Sequence, residues 1–169
     1  TVDLCAWFNE QPRLTARINT VKVSIEDCLK ELLDLGWTVE QDKTIPEAVY
    51  IDNHQGHLEK AKPVIEGHIT FMDKASMLVG HLVDPQPGER ILDCCAAPGG
   101  KSMHMASLMN NTGAIMSCDI YEHKLELMNQ NAERLGVSIV STKLQDGRYL
   151  PDNWKEQFDR VLVDAPCSG

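Results

Sequence analysis

The chain predicts an α/β fold in two parts: a small α+β unit, then a parallel, doubly wound sheet. From Arg90 onward, strand-like apolar runs alternate with helical periodicities, the pattern of β-α-β units whose strands lie parallel. Aspartates stand at or just beyond the ends of those runs, at Asp93, Asp119, Asp146 and Asp164, where such sheets bind their ligands. Upstream the strands are shorter and flank a single amphipathic helix, which marks a separate unit.

Residues 15–21 read as a first strand. Ser24 and Asp27 then form a capping-box start to a helix carrying Leu29, Leu32 and Leu33 on one face, and Gly36 stops it. Strands are expected at Val39 and over 48–51, giving a ferredoxin-like or RNA-recognition-like unit over 1–67 whose last part, 53–67, is a connector. In the second part, 68–169, Asp73 caps a helix running to Val83, and Pro85, Pro87 and Gly88 separate it from a strand over 90–94. A helix over 101–109 follows, then a turn at Gly113 and a strand over 114–118. The next helix, 122–135, is set by Leu125, Met128, Ala132 and Leu135 and closed by Gly136. Strands over 138–144 and 158–163 complete the pattern. Met103, Met105 and Met109 are expected to fill core space.

Composition narrows the class. Apolar residues make up 43%, and no apolar run approaches the roughly 20 residues of a bilayer span. With no signal-peptide zoning either, a cytoplasmic location is expected. The six cysteines show no C-x-x-C spacing, and the histidines no spacing for shared ligation, so neither a disulfide framework nor a metal site is expected. Cys5, Cys28, Cys94 and Cys118 read as packing residues. A net charge of −9 argues against a broad nucleic-acid footprint on this chain itself. Because the first residue is Thr1 and the last, Gly169, stands within a motif, the chain is expected to be part of a longer polypeptide.

Two motifs carry chemistry. In Cys95-Ala96-Ala97-Pro98-Gly99-Gly100-Lys101 small residues let a ligand approach the backbone, and the following helix offers N–H groups to an anion. Asp119 follows by about the 20 residues at which such folds present a carboxylate to a ribose; Glu122 is a second choice. Asp146 is placed to accept from an adenine amino group. A P-loop would need glycine where Cys95 stands, and Pro98 removes a loop N–H. An NAD fingerprint is spoiled by Ala96, Ala97 and Pro98. Lys101 reads as a helix-start residue near the ligand. The second motif, Asp164-Ala165-Pro166-Cys167-Ser168-Gly169, sets a carboxylate and a thiol after a strand. Methylating carbon 5 of cytosine requires a thiolate to add at carbon 6 first, then a base to remove the carbon 5 proton so that the thiolate can leave.

The stretch from Asp93 to Lys101 together with Asp164 to Gly169 resembles the RNA 5-methylcytosine methyltransferases of the NOL1/NOP2/Sun family, closest to the bacterial 16S rRNA methyltransferase B type. Pro12 to Asn19 is similar to that family's preceding small domain. Phe71 to Ser76 is similar to its lead-in segment, with Met72 where glutamine is usual. The resemblance implies a Rossmann-like domain binding S-adenosyl-L-methionine and acting on ribosomal RNA, 16S by type, with no membrane and no obligate protein partner. It implies that Cys95, Ala96, Ala97, Pro98, Gly99, Gly100 and Lys101 line the methionine and adenosine site, with Asp119 on the ribose, Asp146 on the adenine, and Asp164 on cofactor and target base. Catalytic roles fall to Asp164 and Cys167. In the family the attacking thiolate comes from a later Thr-Cys motif, and the cysteine matching Cys167 assists release. No Thr-Cys pair occurs in this chain, so a non-catalytic module that binds cofactor and RNA is the alternative.

Overall fold

The structure is a computed structural model and describes residues 13–54 and 56–165; Cys5, Pro12, Pro166 and Cys167 lie outside them. The small unit holds β1 (Leu14–Ile18), α1 (Ile25–Asp34), β2 (Thr38–Gln41), β3 (Ala48–Asn53), α2 (Lys62–Ile65) and β4 (Ile69–Phe71). Its sheet is antiparallel in the order β2-β3-β1-β4, the ferredoxin-like arrangement. The core gathers Ala16, Ile18, Cys28, Leu32, Trp37, Val49, Ile51 and Ile69.

Three expectations change here. The first strand stops at Ile18, because the Asn19 carbonyl accepts from the Lys22 and Val23 N–H groups and turns the chain. Ser24 does cap α1, accepting from the Asp27 N–H at 3.1 Å. The buried face, however, runs through Cys28 and Leu32 with Ile25 and Leu29 beside them, while Leu33 is 57% exposed, one step off the i, i+3, i+4, i+7 stripe. The expected connector carries a 3₁₀ turn, Leu58–Lys60, and α2. It leads into β4, which pairs with β1 from Ile18↔Ile69 to Ala16↔Phe71. The first sheet therefore runs past residue 67. A three-residue strand has too few positions to show a period of two.

The second unit opens with α3 (Lys74–Val83), capped by Asp73, whose carboxylate accepts from the Ser76 N–H. It continues with β5 (Arg90–Asp93), α4 (Gly100–Leu108), β6 (Ala114–Asp119), α5 (Glu122–Leu135), β7 (Val140–Leu144) and β8 (Arg160–Leu162). The strands are parallel in the order β7-β6-β5-β8. The chain builds outward from β5 to β7, then crosses back to β8 on the other side. The crevice at that reversal lies beyond the carboxyl ends of β5 and β8. Met103, Met105 and Met109 are buried in the core with Ile91, Ile115 and Leu135, as expected. Cys94 and Cys118 pack with Leu92, and burial pushes the thiols of Cys28 and Cys118 up to about 12.

The two units share a polar seam. The Asn19 side-chain amide donates to the carbonyls of Gly67 and Leu135, both at 2.8 Å. Lys22 Nζ donates to the carbonyls of Glu66 and Arg134 at 2.9 and 2.7 Å. Arg17, fully buried, donates from Nη1 to Ser107 Oγ on α4 at 2.9 Å. Replacing Asn19 by Ala leaves two buried carbonyls without this donor, at about 1–3 kcal/mol for each buried group left unsatisfied. Chemical denaturation of Asn19→Ala is expected to show a loss of roughly 2–6 kcal/mol on that scale; a loss below about 1 kcal/mol would mean that the clamp does not hold the seam.

Candidate functional site

A cleft of about 860 Å³ lies over the carboxyl ends of the parallel strands. Among the predicted residues, Cys95, Ala96, Ala97, Pro98, Gly100, Lys101, Asp119, Asp146 and Asp164 line it, and Asp93 forms part of its floor. The turn after β5 is drawn tight by two backbone bonds: the Ala96 N–H donates to the Cys118 carbonyl at 2.8 Å and the Gly99 N–H to the Ala96 carbonyl at 2.7 Å. Gly99 itself is not a lining residue. It caps α4 at φ 96°, and a Cβ there would lie 3.0 Å from Met128 Cγ on α5. Its backbone freedom sets the turn, and its neighbours make the wall. α4 starts at the cleft, so the positive end of its dipole faces the ligand space.

Four aspartates converge there in different states. Asp93 is 1% exposed; its Oδ2 accepts from Ser102 Oγ at 2.7 Å, and Ser117 donates to Ser102 at 2.8 Å. Oδ1 is buried with no hydrogen-bond partner among the described residues. Burial pushes the Asp93 carboxyl up to about 6, against the hydrogen bond from Ser102 and the pull of the Cys95 backbone N–H. Asp119 is nearly buried; its Oδ1 accepts from the Tyr121 N–H at 3.1 Å, and Lys124 Nζ stands 4.0 Å away as an ion-pair partner beyond hydrogen-bond distance. Asp146 is gripped by the Arg148 guanidinium at 2.7–3.1 Å and accepts from the Arg148 N–H at 2.9 Å, and this partner holds its carboxyl below the usual range. A further donor would share that carboxylate with Arg148. Asp164 pairs with Lys101 Nζ at 2.6 Å, so the lysine joins the two motifs instead of only starting a helix.

The charges add up to a field. The Cys95 thiol is pushed up first by burial and then by Asp93, Asp119, Asp164 and Asp146 in turn. A cation placed near Cys95 is favoured by the same carboxylates. Glu122 is exposed and, unlike its neighbours Tyr121 and Lys124, is not among the residues lining the cleft.

Several lining residues went unread in the sequence. Ile120, Tyr121 and Lys124 follow the β6 aspartate, and Arg148 follows Asp146; their positions just past strand ends were the available signal. Phe71 and Met72 come from the last strand of the small unit and its exit, and only the seam brings them to the cleft. The histidines likewise meet in space: His81 and His104 both reach Glu47 at 2.6 Å. Among the described residues no helix is long and apolar enough to cross a membrane.

The raised Asp93 carboxyl has a stability consequence. A carboxyl whose folded pKa lies above its unfolded value stabilises the fold below the unfolded pKa, and that contribution is lost as pH rises through about 6. Without ligand, Asp93→Asn is therefore expected to be more stable than the parent at pH 8, on the order of 1–3 kcal/mol. The difference should vanish near pH 4. Thermal melts across pH check this, and a variant less stable at pH 8 would contradict it.

Comparison with known proteins agrees with this geometry. A family model described as 16S rRNA methyltransferase RsmB/F matches residues 80–169, and one for an RsmF/B-like ferredoxin-like domain matches residues 1–56. The chain is 39% identical over 167 residues to the probable ribosomal RNA small subunit methyltransferase B of Bacillus subtilis, covering 98% of this chain and 37% of that protein. It is 37% identical over 163 residues to the human 28S rRNA (cytosine(4447)-C(5))-methyltransferase, covering 95% and 20%. A solved methyltransferase homologue from Pyrococcus horikoshii superposes with a TM-score of 0.83 at 31% identity, covering 94% of this chain and 52% of that one. The chain thus spans little more than a third of the bacterial relative. With one family model over more than half of the sequence and a ferredoxin-like model over the unit before it, the chain belongs to the 16S rRNA methyltransferase RsmB/F family.

Proposed function

We propose that this chain supplies the S-adenosyl-L-methionine site, and part of the target-base site, of an enzyme that methylates carbon 5 of a cytosine in ribosomal RNA, 16S by family type. The observation that carries the proposal is the acidic cleft between the two motifs. With Asp146 held by Arg148 and Asp164 by Lys101, Asp93 and Asp119 are the carboxylates left to favour a ligand bearing positive charge, and the sulfonium and ammonium groups of the cofactor are such charges. Asp119, held by the Tyr121 N–H, is the ribose acceptor, and Asp146 is the acceptor for the adenine amino group. The buried, unpartnered Oδ1 of Asp93 fits an ammonium donor. When bound, the cofactor supplies the methyl group.

On the base side, Asp164 is the acceptor for the amino edge of the cytosine, and its ion pair with Lys101 at 2.6 Å orients that carboxylate. The reaction needs a thiolate at carbon 6, methyl transfer to carbon 5, loss of the carbon 5 proton to a base, and departure of the thiolate. We assign Cys167 to the last stage. Phe71, 37% exposed at the lip of the cleft, gives an RNA base an aromatic face on which to stack, and the small unit serves as the docking side. The protein works in the cytoplasm, where ribosomal RNA is found.

Titration calorimetry with S-adenosylhomocysteine is expected to show binding that Asp119→Ala weakens by at least about 1 kcal/mol, the scale of hydrogen bonds to a charged group, and no heat with NAD. Binding to NAD alone would overturn the proposal. The alternative, a module that binds without turnover, is motivated by the lack of a Thr-Cys pair in these residues; a methylation assay on a polypeptide that also carries the Thr-Cys segment, expected to be positive, separates the two. In a polypeptide that also carries the Thr-Cys segment, Cys167→Ala is expected to leave enzyme covalently joined to methylated RNA on a denaturing gel. Loss of both adduct and methylation would instead make Cys167 the nucleophile.

A further inference from the structure

Outside the cleft, a buried cluster of titratable groups sits where three elements meet. Glu47 immediately precedes β3, and its carbonyl accepts from the Ile18 N–H at 2.7 Å, so it is locked into the small sheet. Its Oε1 receives His81 Nε2 from α3 and His104 Nε2 from α4, each at 2.6 Å, with the two rings in edge contact at 5.3 Å. Glu47 is 7% exposed and His104 fully buried. Ile45, Ala48, Met72 and Met77 pack as one cluster of the same seam.

The protonation of this cluster can be read from its surroundings. His104 Nδ1 is buried without a partner. It lies so close to Gly80 that a Cβ on that residue would come within 2.5 Å. A proton on Nδ1 would be a buried donor without an acceptor, so the single proton of the imidazole sits on Nε2 and is donated to Glu47. Burial also keeps the His104 imidazole below its ordinary range, hence neutral. Burial pushes the Glu47 carboxyl up, but the hydrogen bonds from His104, from its own backbone N–H and from His81 outweigh it and hold the group at about 2. The same reasoning disfavours a metal ion. A metal on Nε2 would force the His104 proton to Nδ1, and it would add charge beside the buried Arg17 guanidinium, which acts electrostatically on both Glu47 and His104.

Both helices held by this carboxylate wall the cleft. α4 begins in the cofactor turn, and its Ser102 holds Asp93, two residues before His104. α3 begins beside Asp73 and Ser76, which also line the cleft. We propose that Glu47 is a positioning residue: by accepting from His81 and His104 at once, one carboxylate of the small unit sets the placement of α3 and α4 and thereby of the turn at 95–100 and Asp93. The inference rests on the cofactor reading above only for its affinity readout.

The test compares Glu47→Ala with Leu32→Val, a control in the core of the small unit, by thermal melting, S-adenosylhomocysteine calorimetry and amide exchange over residues 100–104. Glu47→Ala removes the acceptor of both histidine bonds; it is expected to weaken affinity by roughly fivefold to twentyfold, the range of coupling through packed networks, and to speed that exchange. Leu32→Val should lower the melting temperature while leaving affinity within about twofold, below that coupling scale. If Glu47→Ala does not fold, His81→Ala is expected to shift affinity the same way by a smaller factor, and an unchanged affinity there overturns the proposal. Equal affinities in Glu47→Ala and the parent also overturn it, as does stoichiometric zinc binding that Glu47→Ala abolishes, since the cluster would then be a metal site. If the parent itself does not bind S-adenosylhomocysteine, the cofactor reading fails, and the exchange measurement alone decides the positioning role: parent-like exchange in Glu47→Ala refutes it.

Discussion

The constraint on which the rest of the structure depends is the burial of α4 on every side. From Ser102 to Ser107 each residue of this helix is buried, because the parallel sheet covers one face and α3 and the small unit cover the others. A helix in that position is expected to be apolar all round, yet this one carries Ser102, His104 and Ser107. Each must find a partner, since an unpaired polar group in such a place costs about 1–3 kcal/mol. Ser102 finds Asp93 and Ser117, His104 finds Glu47, and Ser107 finds Arg17 together with its own Met103 carbonyl. The three side chains point to three neighbours: the cleft floor, the start of β3, and β1. Their hydrogen bonds fix the helix against all of them at once.

The cleft inherits its position and its charge from that arrangement. Its turn is the entrance to α4, and its most buried acid is held by a hydroxyl of α4. Its lip is supplied by Phe71 and Met72 of the small unit, which the Asn19 and Lys22 clamps hold against the C-terminal end of α5. The ligand space is therefore walled by both units although the motif residues belong to one. Four carboxylates drawn to one cleft raise one another's cost of ionisation unless they are compensated. Arg148 covers Asp146, Lys101 covers Asp164, Asp119 keeps a backbone donor, and Asp93 is left with an elevated pKa. What remains uncompensated is a negative field around Cys95, suited to a positively charged ligand.

Particular elements show what a linear reading can reach. The helix over 122–135 was legible to the residue because Leu125, Met128, Ala132 and Leu135 repeat at the helical period and Gly136 ends it in a left-handed cap. The start of α1 at Ser24 and that of α3 at Asp73 were equally plain, as capping is a matter of a few adjacent residues. β4 was hidden by its length, and Leu33 was misplaced because three leucines close together do not by themselves fix the phase of a stripe. At the site, residues inside the two motifs were readable, whereas Gly99 proved to shape the turn without lining the cleft.

The sequence by itself determined the order of strands and helices, the turn at 95–100, and the acids at the strand ends, because these follow from short-range periodicity, capping and backbone permissiveness. Only the tertiary structure decided which of those acids carries a partner, that Lys101 answers Asp164, that Phe71 reaches the cleft, and that Glu47 joins His81 to His104. The last three are contacts between residues 34 to 63 positions apart in the chain, or brought across from another unit. No local period records them, and burial, which sets their charge states, exists only once the units have closed on one another.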